Sequence, residues 1–262
     1  TNEPVCPRCN AATVEDLPVE IYWCHHCKTP VVQYTNQADK GVCPLCGRIT
    51  KYLSSDLRPV FPEERLLLEL LLGKAPNEYI NSSVWAANSR YYIDGKSIAL
   101  PAKAFADADT DALIKSLEKH KDENSYDSFD EYIQRFIEAN SNRINELKAE
   151  AFNFVREAAS KYDEENLVIS FSGGKDSTVT ADVTIKALSN PFLVHIFGDT
   201  TLEFPSTIEY ANRYRKTHSQ AIFQVARNDE QAFYDVCEDI GPPARMMRWC
   251  CSMFKTGPIT RV

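Results

Sequence analysis

The feature that most constrains the fold is a strand, a glycine loop and a helix that follow one another between residues 167 and 188. The run Leu167-Val168-Ile169-Ser170-Phe171 is apolar and β-branched, as a buried parallel strand requires. The helix that follows places Val179, Val183 and Leu188 along one side. This order of elements predicts an α/β domain built on a parallel sheet.

The loop between that strand and helix, Ser172-Gly173-Gly174-Lys175-Asp176-Ser177, has the composition of an anion-binding turn. Its two glycines let backbone N–H groups close around an anion with no Cβ in the way. The helix N-terminus adds partial positive charge, and the serines and lysine add hydroxyl donors and an ammonium group. A simple turn would explain the glycines alone. The loop therefore predicts a phosphate site, without the Gly-x4-Gly-Lys-Ser/Thr spacing of a Walker A loop.

A second parallel strand is predicted at Phe192-Leu193-Val194-His195-Ile196-Phe197. Asp199 and Thr200 follow it, at the carboxyl end where ligands of open α/β sheets bind. Pro205 then opens a helix that extends to about His218. We expect Asp199 and Thr200 to line the same ligand as the glycine loop.

A third stretch, residues 245–258, is rich in cations and contains two adjacent cysteines, Cys250 and Cys251. Arg245, Arg248 and Lys255 could hold a polyanion such as a phosphate or sulfonyl group.

These three stretches resemble known families. The glycine loop matches the Ser-Gly-Gly-x-Asp-Ser phosphate loop of the PP-loop (ATP-pyrophosphatase) superfamily. The run from Asp199 to Thr207 resembles the Asp-Thr-Gly-x-x-Phe-Pro-Glu-Thr run of the 3′-phosphoadenylyl sulfate (PAPS) reductase family. It departs from that pattern at Thr201, where the family usually has glycine, and at Ser206, where it has glutamate.

The resemblance implies an adenine-nucleotide-binding enzyme that reduces an adenylyl sulfate, PAPS or APS, to sulfite with a thiol reductant protein as partner. Candidate catalytic residues are Cys250, Cys251 and Lys255, and Arg245 and Arg248 would neutralise the sulfonyl-phosphate. The remaining residues expected around the nucleotide are Ser170, Phe171, Ser172, Gly173, Gly174, Lys175, Asp176, Ser177, Asp199 and Thr200.

An alternative is an ATP-dependent PP-loop sulfurtransferase or adenylating enzyme that modifies RNA or DNA. In that case Asp176 would help to position magnesium, and the N-terminal modules would grip nucleic acid. The vicinal cysteines also resemble half of the ligand set of a 4Fe-4S cluster, but no later Cys-x-x-Cys precedes Val262. Cluster ligation and two ordinary cysteines both stay open. Since three strand candidates are about half of a PP-loop domain, we expect a chain truncated within it.

At the N-terminal end, six of the nine cysteines form three Cys-x-x-Cys pairs. Two such pairs complete a tetrahedral metal site, and their spacing is typical of a zinc ribbon. We favour Cys24, Cys27, Cys43 and Cys46 as the zinc ligands, because they frame a compact hairpin unit. The alternative combines Cys6 and Cys9 with Cys24 and Cys27. Disulfides are disfavoured, since the sequence shows no secretory signal.

Two modules, a small α+β module and a helical segment, are predicted between the zinc ribbon and the nucleotide-binding domain. A helix begins at Pro62, and a hairpin turns at Asp94-Gly95, together resembling the small PUA-like module of archaeal-type PAPS-reductase-like proteins. Helices follow, one of them capped by a Ser128-x-x-Glu131 box. The predicted boundaries are 1–58 for the zinc ribbon, 59–106 for the small α+β module, 107–166 for the helical segment and 167–262 for the incomplete nucleotide-binding domain.

The distribution of charged residues along the chain limits the kinds of partner that we expect it to bind. The net charge of −8 is concentrated in the helical segment, so it indicates a solvated helix face and not a binding signal. Aromatic and basic residues interleave in the ribbon, which keeps RNA or DNA contact through the ribbon and PUA-like module open. The leucine-rich run after Pro62 is cut by Glu69 and is too short to span a bilayer, so we expect no membrane partner. We expect a cytoplasmic protein.

Overall fold

The computed structural model describes residues 18–88, 90–101, 103–123 and 125–262. The chain divides into two compact units, Thr1–Ile144 and Asn145–Val262. The predicted α/β fold class is confirmed: a parallel sheet with helices forms the second unit, and a cluster of cysteines lies in the first.

The first unit contains two antiparallel sheets. The first sheet has the order β2-β1-β3, with β1 at Val19–Cys24, β2 at Thr29–Tyr34 and β3 at Lys51–Ser54. The second has the order β4-β5-β6-β7, with strands at Arg58–Pro59, Val84–Ala87, Arg90–Ile93 and Lys96–Ala99. Helix α1 (Pro62–Leu71) begins at the predicted proline and buries Leu68 against Val84 and Ile93 of that sheet.

The β6–β7 turn joins the two sheets into one body. Asp94 and Gly95 have φ angles of +48° and +77°, as the predicted two-residue hairpin requires. A Cβ on Gly95 would lie 2.3 Å from ring atoms of Trp23, a residue of β1 that is only 1% exposed. The backbone of the turn therefore lies directly against the Trp23 indole, and only glycine fits there.

Helices α2 (Thr110–Lys119), α3 (Asp127–Ala139) and α4 (Ser141–Ala159) follow, with short 3₁₀ turns at Lys121–Glu123 and Glu164–Asn166. The predicted capping box at Ser128 is wrong. Helix α3 already begins at Asp127, so Ser128 lies inside its first turn, where its hydroxyl donates to Asn81 Oδ1 at 3.1 Å. Glu131 instead forms an ion pair with Arg135 one turn further on, at 2.5 Å.

Asn140, which follows α3, closes the free edge of strand β2. Its Oδ1 accepts the N–H of Val32 at 2.6 Å, and its Nδ2 donates to the carbonyl of Pro30 at 3.0 Å. Both backbone groups point out of the same edge of β2, so the buried side-chain amide pairs with the strand as a neighbouring peptide would. The helix end is thereby fixed to the first sheet.

The second unit is a three-stranded parallel sheet in the order β10-β9-β8. Its strands are β8 (Val168–Phe171), β9 (Val194–Asp199) and β10 (Ile222–Arg227), and its helices are α5 (Lys175–Leu188), α6 (Pro205–Thr217) and α7 (Phe233–Ile240). A short helical segment ends the chain, with an α turn at Trp249–Cys251, a π turn at Ser252–Thr256 and a final turn at Gly257–Ile259.

Helices α5 and α6 both cover one face of this sheet. Phe171 and Phe197 of the strands are buried together with Ala181 of α5 and with Ala211 and Tyr214 of α6. Successive right-handed crossovers in one direction place both helices on that side. The same geometry brings their N-termini to the carboxyl ends of the strands.

The described residues contain no helix that combines the length and the apolar character needed to cross a membrane.

We predict that Gly95→Ala destabilises the first unit more than Gly73→Ala does. Both glycines have positive φ, but a Cβ at Gly73 would meet nothing within 4 Å. The left-handed backbone should cost about 1–2 kcal/mol at either position. Gly95→Ala should add about 1–3 kcal/mol because the new methyl group overlaps Trp23. Denaturant unfolding of the two variants measures the difference, and equal losses would contradict the contact.

Candidate nucleotide site and cysteine cluster

The glycine loop is folded by its own polar groups at the end of β8. Gly173 has a φ of +74°, and Gly174 is the N-cap of α5. The Ser172 N–H donates to Ser177 Oγ at 3.2 Å, and the Ser177 hydroxyl donates to the Gly174 carbonyl at 2.9 Å. These bonds hold the loop curved while the first amides of α5, which have no partner within the helix, point out of its N-terminus. Such an arrangement suits an anion.

A second helix N-terminus lies against this loop. A Cβ on Gly173 would be 3.1 Å from Cγ2 of Thr207, which stands in the first turn of α6. Thr178 Oγ1 and the hydroxyl of Tyr210 are 3.0 Å apart and join α5 to α6 near the loop. The positive ends of two helices therefore meet beside Gly173, which strengthens the attraction for a negatively charged ligand.

Of the predicted loop residues, Lys175 and Asp176 are exposed in the first turn of α5, and Ser172 and Gly174 are exposed in the loop. Ser170 is exposed on β8. Phe171 is different, since its side chain is 1% exposed and stacks on Tyr214 with ring centroids 4.4 Å apart. The Phe171 side chain thus supports the loop from below, and only its backbone can face a ligand.

Asp199 and Thr200 end β9 at the same edge of the sheet, and both already have intramolecular partners. Asp199 Oδ1 accepts the N–H of Thr201 at 2.8 Å, while its Oδ2 lies 3.3 Å from Nη1 of Arg227. The Thr200 hydroxyl donates to Glu203 Oε1 at 2.8 Å. These contacts fix the shape of the loop after β9.

Thr201 takes a left-handed conformation, with a φ of +65°. That conformation is strained for a β-branched residue and easy for glycine, which is the residue that the resembled family has at this position. Thr201 Oγ1 accepts the N–H of Phe233 at 2.9 Å and so ties the loop to the start of α7. Thr201 therefore carries the cost of this conformation and adds a side-chain contact to the start of α7.

The cationic C-terminal segment packs on the same part of the unit. Asn228, directly after β10, donates to the carbonyl of Met253 at 3.4 Å, and the Phe233 ring lies 5.1 Å from that of Trp249. Cys250 and Cys251 are half-buried, and Arg248 Nη2 lies 3.7 Å from Cys251 Sγ. Arg245 and Lys255 are exposed, and neither forms a hydrogen bond to the glycine loop within the described ranges.

The cysteine cluster lies in the first unit, where the sulfur atoms of Cys24, Cys27, Cys43 and Cys46 come within 4.8 Å of one another. None of these residues forms a disulfide. Cys24 and Cys46 Sγ are 3.6 Å apart, and Cys27 and Cys43 Sγ are 3.9 Å apart. The structure thus brings together the four cysteines that the sequence analysis favours as zinc ligands. Cys6 and Cys9, which belong to the alternative ligand set, lie outside the described residues.

The thiols of this cluster differ in acidity because their surroundings differ. Burial raises the pKa of Cys27 and of Cys43, while the backbone N–H of Arg48 lowers the pKa of Cys46 to about 7. Four converging thiols can hold one zinc ion or an iron–sulfur cluster. The first unit therefore contains a set of residues suited to a metal centre.

Two residues at the carboxyl edge of the parallel sheet escaped the sequence analysis, namely Arg227 and Asn228. A signal for them existed, because Arg227 ends β10 and Asn228 follows it, as Asp199 ends β9. The rule that ligands bind at the carboxyl ends of parallel strands applies to all three strands equally.

Comparison with known proteins agrees with this geometry. Residues 166–262 match the family described as phosphoadenosine phosphosulfate reductase domain. Two uncharacterized proteins of Methanocaldococcus jannaschii are each 30% identical, over 57% and 49% of this chain and over 30% and 31% of their own lengths. Sulfate adenylyltransferase subunit 2 of Saccharophagus degradans is 38% identical over 28% of this chain and 24% of its own length.

The chain thus spans less than a third of the length of the curated relatives that it matches. The match to the reductase domain is confined to residues 166–262, which hold the parallel sheet and the glycine loop.

We predict that the purified chain contains one zinc ion held by the four clustered cysteines. Cys43→Ser should lose the metal, while Cys237→Ser, which changes a half-buried cysteine of the second unit, should keep it. Because a thiolate-bound metal supplies much of a small module's folding free energy, chelation should also unfold the ribbon. Elemental analysis and circular dichroism measure both effects. Iron with visible absorption would assign an iron–sulfur cluster instead.

Proposed function

We propose that the protein binds an adenine nucleotide with its phosphates on residues 172–177 and reduces an adenylyl sulfate, PAPS or APS, to sulfite. The main observation is the meeting of two helix N-termini at Gly173, on the carboxyl edge of a parallel sheet. An anion at this place receives backbone N–H groups and the positive ends of both helices. The match of residues 166–262 to the reductase domain supports the choice of nucleotide.

The roles of the other residues follow from their positions. Lys175, exposed in the first turn of α5, would contact the phosphates. Asp176, exposed beside it, would help to position magnesium if the nucleotide is ATP, as in the second candidate function below. The sulfonyl-phosphate would be neutralised by three cationic side chains that are exposed and so within reach of a ligand, namely Arg245, Arg248 and Lys255. Asp199 acts on the ligand indirectly, since its carboxylate oxygens already face Thr201 and Arg227.

In the proposed reaction, two electrons pass from a pair of thiols to the sulfonyl sulfur. One thiolate would bond to that sulfur while the bond from the sulfur to the bridging phosphate oxygen breaks, so that the nucleotide leaves with its phosphate. The second thiolate would then attack the first cysteine's sulfur, which forms a disulfide and releases sulfite with the electron pair of the broken sulfur–sulfur bond. The two thiol protons pass to solvent. A thiol reductant protein then restores the thiols. Cys250 and Cys251 are the candidate cysteines for this chemistry, because they are adjacent and half-buried and Arg248 Nη2 lies 3.7 Å from Cys251 Sγ.

A second candidate function is an ATP-dependent adenylating enzyme or sulfurtransferase that acts on RNA or DNA. The likeness to sulfate adenylyltransferase subunit 2, whose name describes adenylyl transfer to sulfate, favours ATP as the nucleotide. The first unit adds a metal-type cysteine cluster, and its strand β3 exposes Lys51 and Tyr52. Basic and aromatic side chains together are typical of contacts with single-stranded nucleic acid.

We predict that Gly173→Val weakens nucleotide binding while Gly241→Val preserves it. Both glycines have a positive φ, of +74° and +84°, so both variants carry the same kind of backbone cost. Only the valine at position 173 would reach Thr207 and displace the phosphates, whereas position 241 has nothing within 4 Å. Calorimetry should show affinity falling by at least about tenfold, or about 1.4 kcal/mol, for Gly173→Val alone.

The choice of nucleotide separates the two candidates. Tighter binding of adenosine 3′,5′-bisphosphate favours the reductase, and tighter binding of magnesium-ATP favours the transferase. If the wild-type protein binds neither, or if Gly173→Val binds as the wild type does, the phosphate loop has been misassigned.

A further inference from the structure

We propose that the hydroxyl groups of Thr29 and Thr50 donate hydrogen bonds to the metal-bound thiolate of Cys24. The two threonines are then positioning residues of the metal centre, and neither of them touches the ion. The inference goes beyond the proposed function, because it concerns the cysteine cluster of the first unit and not the nucleotide site.

The spacing of the four sulfur atoms suits a single ion. All four lie within 4.8 Å of one another, and two of the pairs are 3.6 Å and 3.9 Å apart. Sulfur atoms that are each about 2.3 Å from a tetrahedral zinc ion lie about 3.8 Å from one another. A divalent ion held by four thiolates keeps an excess of negative charge, so a buried centre of this kind needs hydrogen-bond donors around its sulfurs. The N–H of Cys27 is one such donor, 3.3 Å from Cys24 Sγ.

Two buried hydroxyl groups near this cluster have no hydrogen-bond partner. Within the described ranges, four buried polar side-chain atoms are unpaired, and two of them are Oγ1 of Thr29 and Oγ1 of Thr50. Thr29 is 0% exposed and Thr50 is 8% exposed. The other two atoms are the indole nitrogens of Trp23 and Trp249. Because a buried donor without a partner costs free energy, each of these hydroxyls calls for an acceptor.

Both threonines stand beside Cys24 in the first sheet. Thr29 lies directly opposite Cys24 in the antiparallel pair of β1 and β2. Thr50 directly precedes Lys51, which lies opposite Trp23, so the same register places Thr50 opposite Cys24 on the β3 side. Cross-strand neighbours on one face have Cβ atoms about 4.5–5.5 Å apart. At that separation, rotation about χ1 can turn a threonine hydroxyl toward the cysteine sulfur.

The neighbouring side chains show that this is the face with the cluster. Val31, two residues after the first threonine, is buried with Cys24 and Cys43. Tyr52, two residues after the second threonine, packs its ring on that of Tyr22, with centroids 5.9 Å apart. Tyr22 precedes Cys24 by two residues, and side chains two positions apart in a strand share a face. Both hydroxyls therefore lie on the side of the sheet that carries the metal ligands.

The unpaired donors and the excess of negative charge complement each other. A hydrogen bond from a hydroxyl to an ionised acceptor is stronger than one between neutral groups. Groups that hydrogen-bond metal ligands change metal affinity by about 10–100-fold when they are removed. Thr29 and Thr50 thus fix the orientation of the Cys24 thiolate and raise the affinity of the whole centre for its ion.

The test replaces each threonine by valine, which keeps its shape and loses the hydroxyl, and by serine, which keeps the hydroxyl and loses a methyl group. Cobalt(II) is the probe, because its thiolate complexes absorb light and can be titrated. We expect Thr29→Val and Thr50→Val each to weaken cobalt binding by about tenfold. Thr29→Ser and Thr50→Ser should bind nearly as the wild type does. Thr184→Val is the matched control, because it removes a hydroxyl from α5 of the second unit, and it should leave cobalt binding unchanged.

The sulfur-to-cobalt charge-transfer band provides a second measurement. A hydroxyl that donates to a thiolate lowers the energy of the sulfur lone pair. The valine variants should therefore shift this band to longer wavelength, and the serine variants should leave it in place.

A purely packing role predicts the opposite order of affinities, because serine leaves a cavity and valine does not. Serine variants that bind cobalt more weakly than the valine variants overturn the inference, and so do valine variants that match the wild type in affinity and band position. If a valine variant does not fold, its serine counterpart decides the question by keeping or losing the wild-type affinity. Failure of the wild type to bind cobalt overturns the metal centre together with the inference, and it leaves the proposed nucleotide site untouched.

Discussion

The parallel register of β8, β9 and β10 is the constraint on which the candidate anion site depends. Because the three strands run in one direction, each strand ends at the same edge and delivers a different polar loop there. The two crossover helices then lie on one face with their N-termini at that edge. No single loop forms the site, and a change of direction in any strand would move one of its parts to the opposite edge.

Local patterns were enough to predict the parts of the structure that local forces fix. The hairpin at Asp94-Gly95 follows from the backbone needs of a two-residue turn, and the confirmed α/β class follows from strands that lead directly into helices. The favoured set of four cysteines follows from the reach of a Cys-x-x-Cys pair. The hairpin and the strand-to-helix junctions depend on neighbouring residues, and the cysteine set joins residues no more than 22 positions apart.

Contacts between distant residues could not be predicted in this way. Nothing near Gly95 in the sequence indicates that Trp23 will lie against it, and nothing near Asn140 indicates a strand more than 100 positions earlier. The capping-box prediction failed for a related reason, because Ser128 found a partner in Asn81 outside its own helix. Pairing of distant residues depends on the packed fold, and tertiary contacts override local preference.

The Asn140 amide also prevents strand β2 from pairing with a further strand. An exposed edge strand offers unpaired N–H and C=O groups to any other chain, which is a common route to association through added strands. Asn140 occupies the N–H of Val32 and the carbonyl of Pro30, and Pro30 itself has no N–H to offer. A side chain has no further backbone to extend the ladder, so the sheet stops there. One asparagine thus blocks the β2 edge of the first sheet against a strand from another molecule.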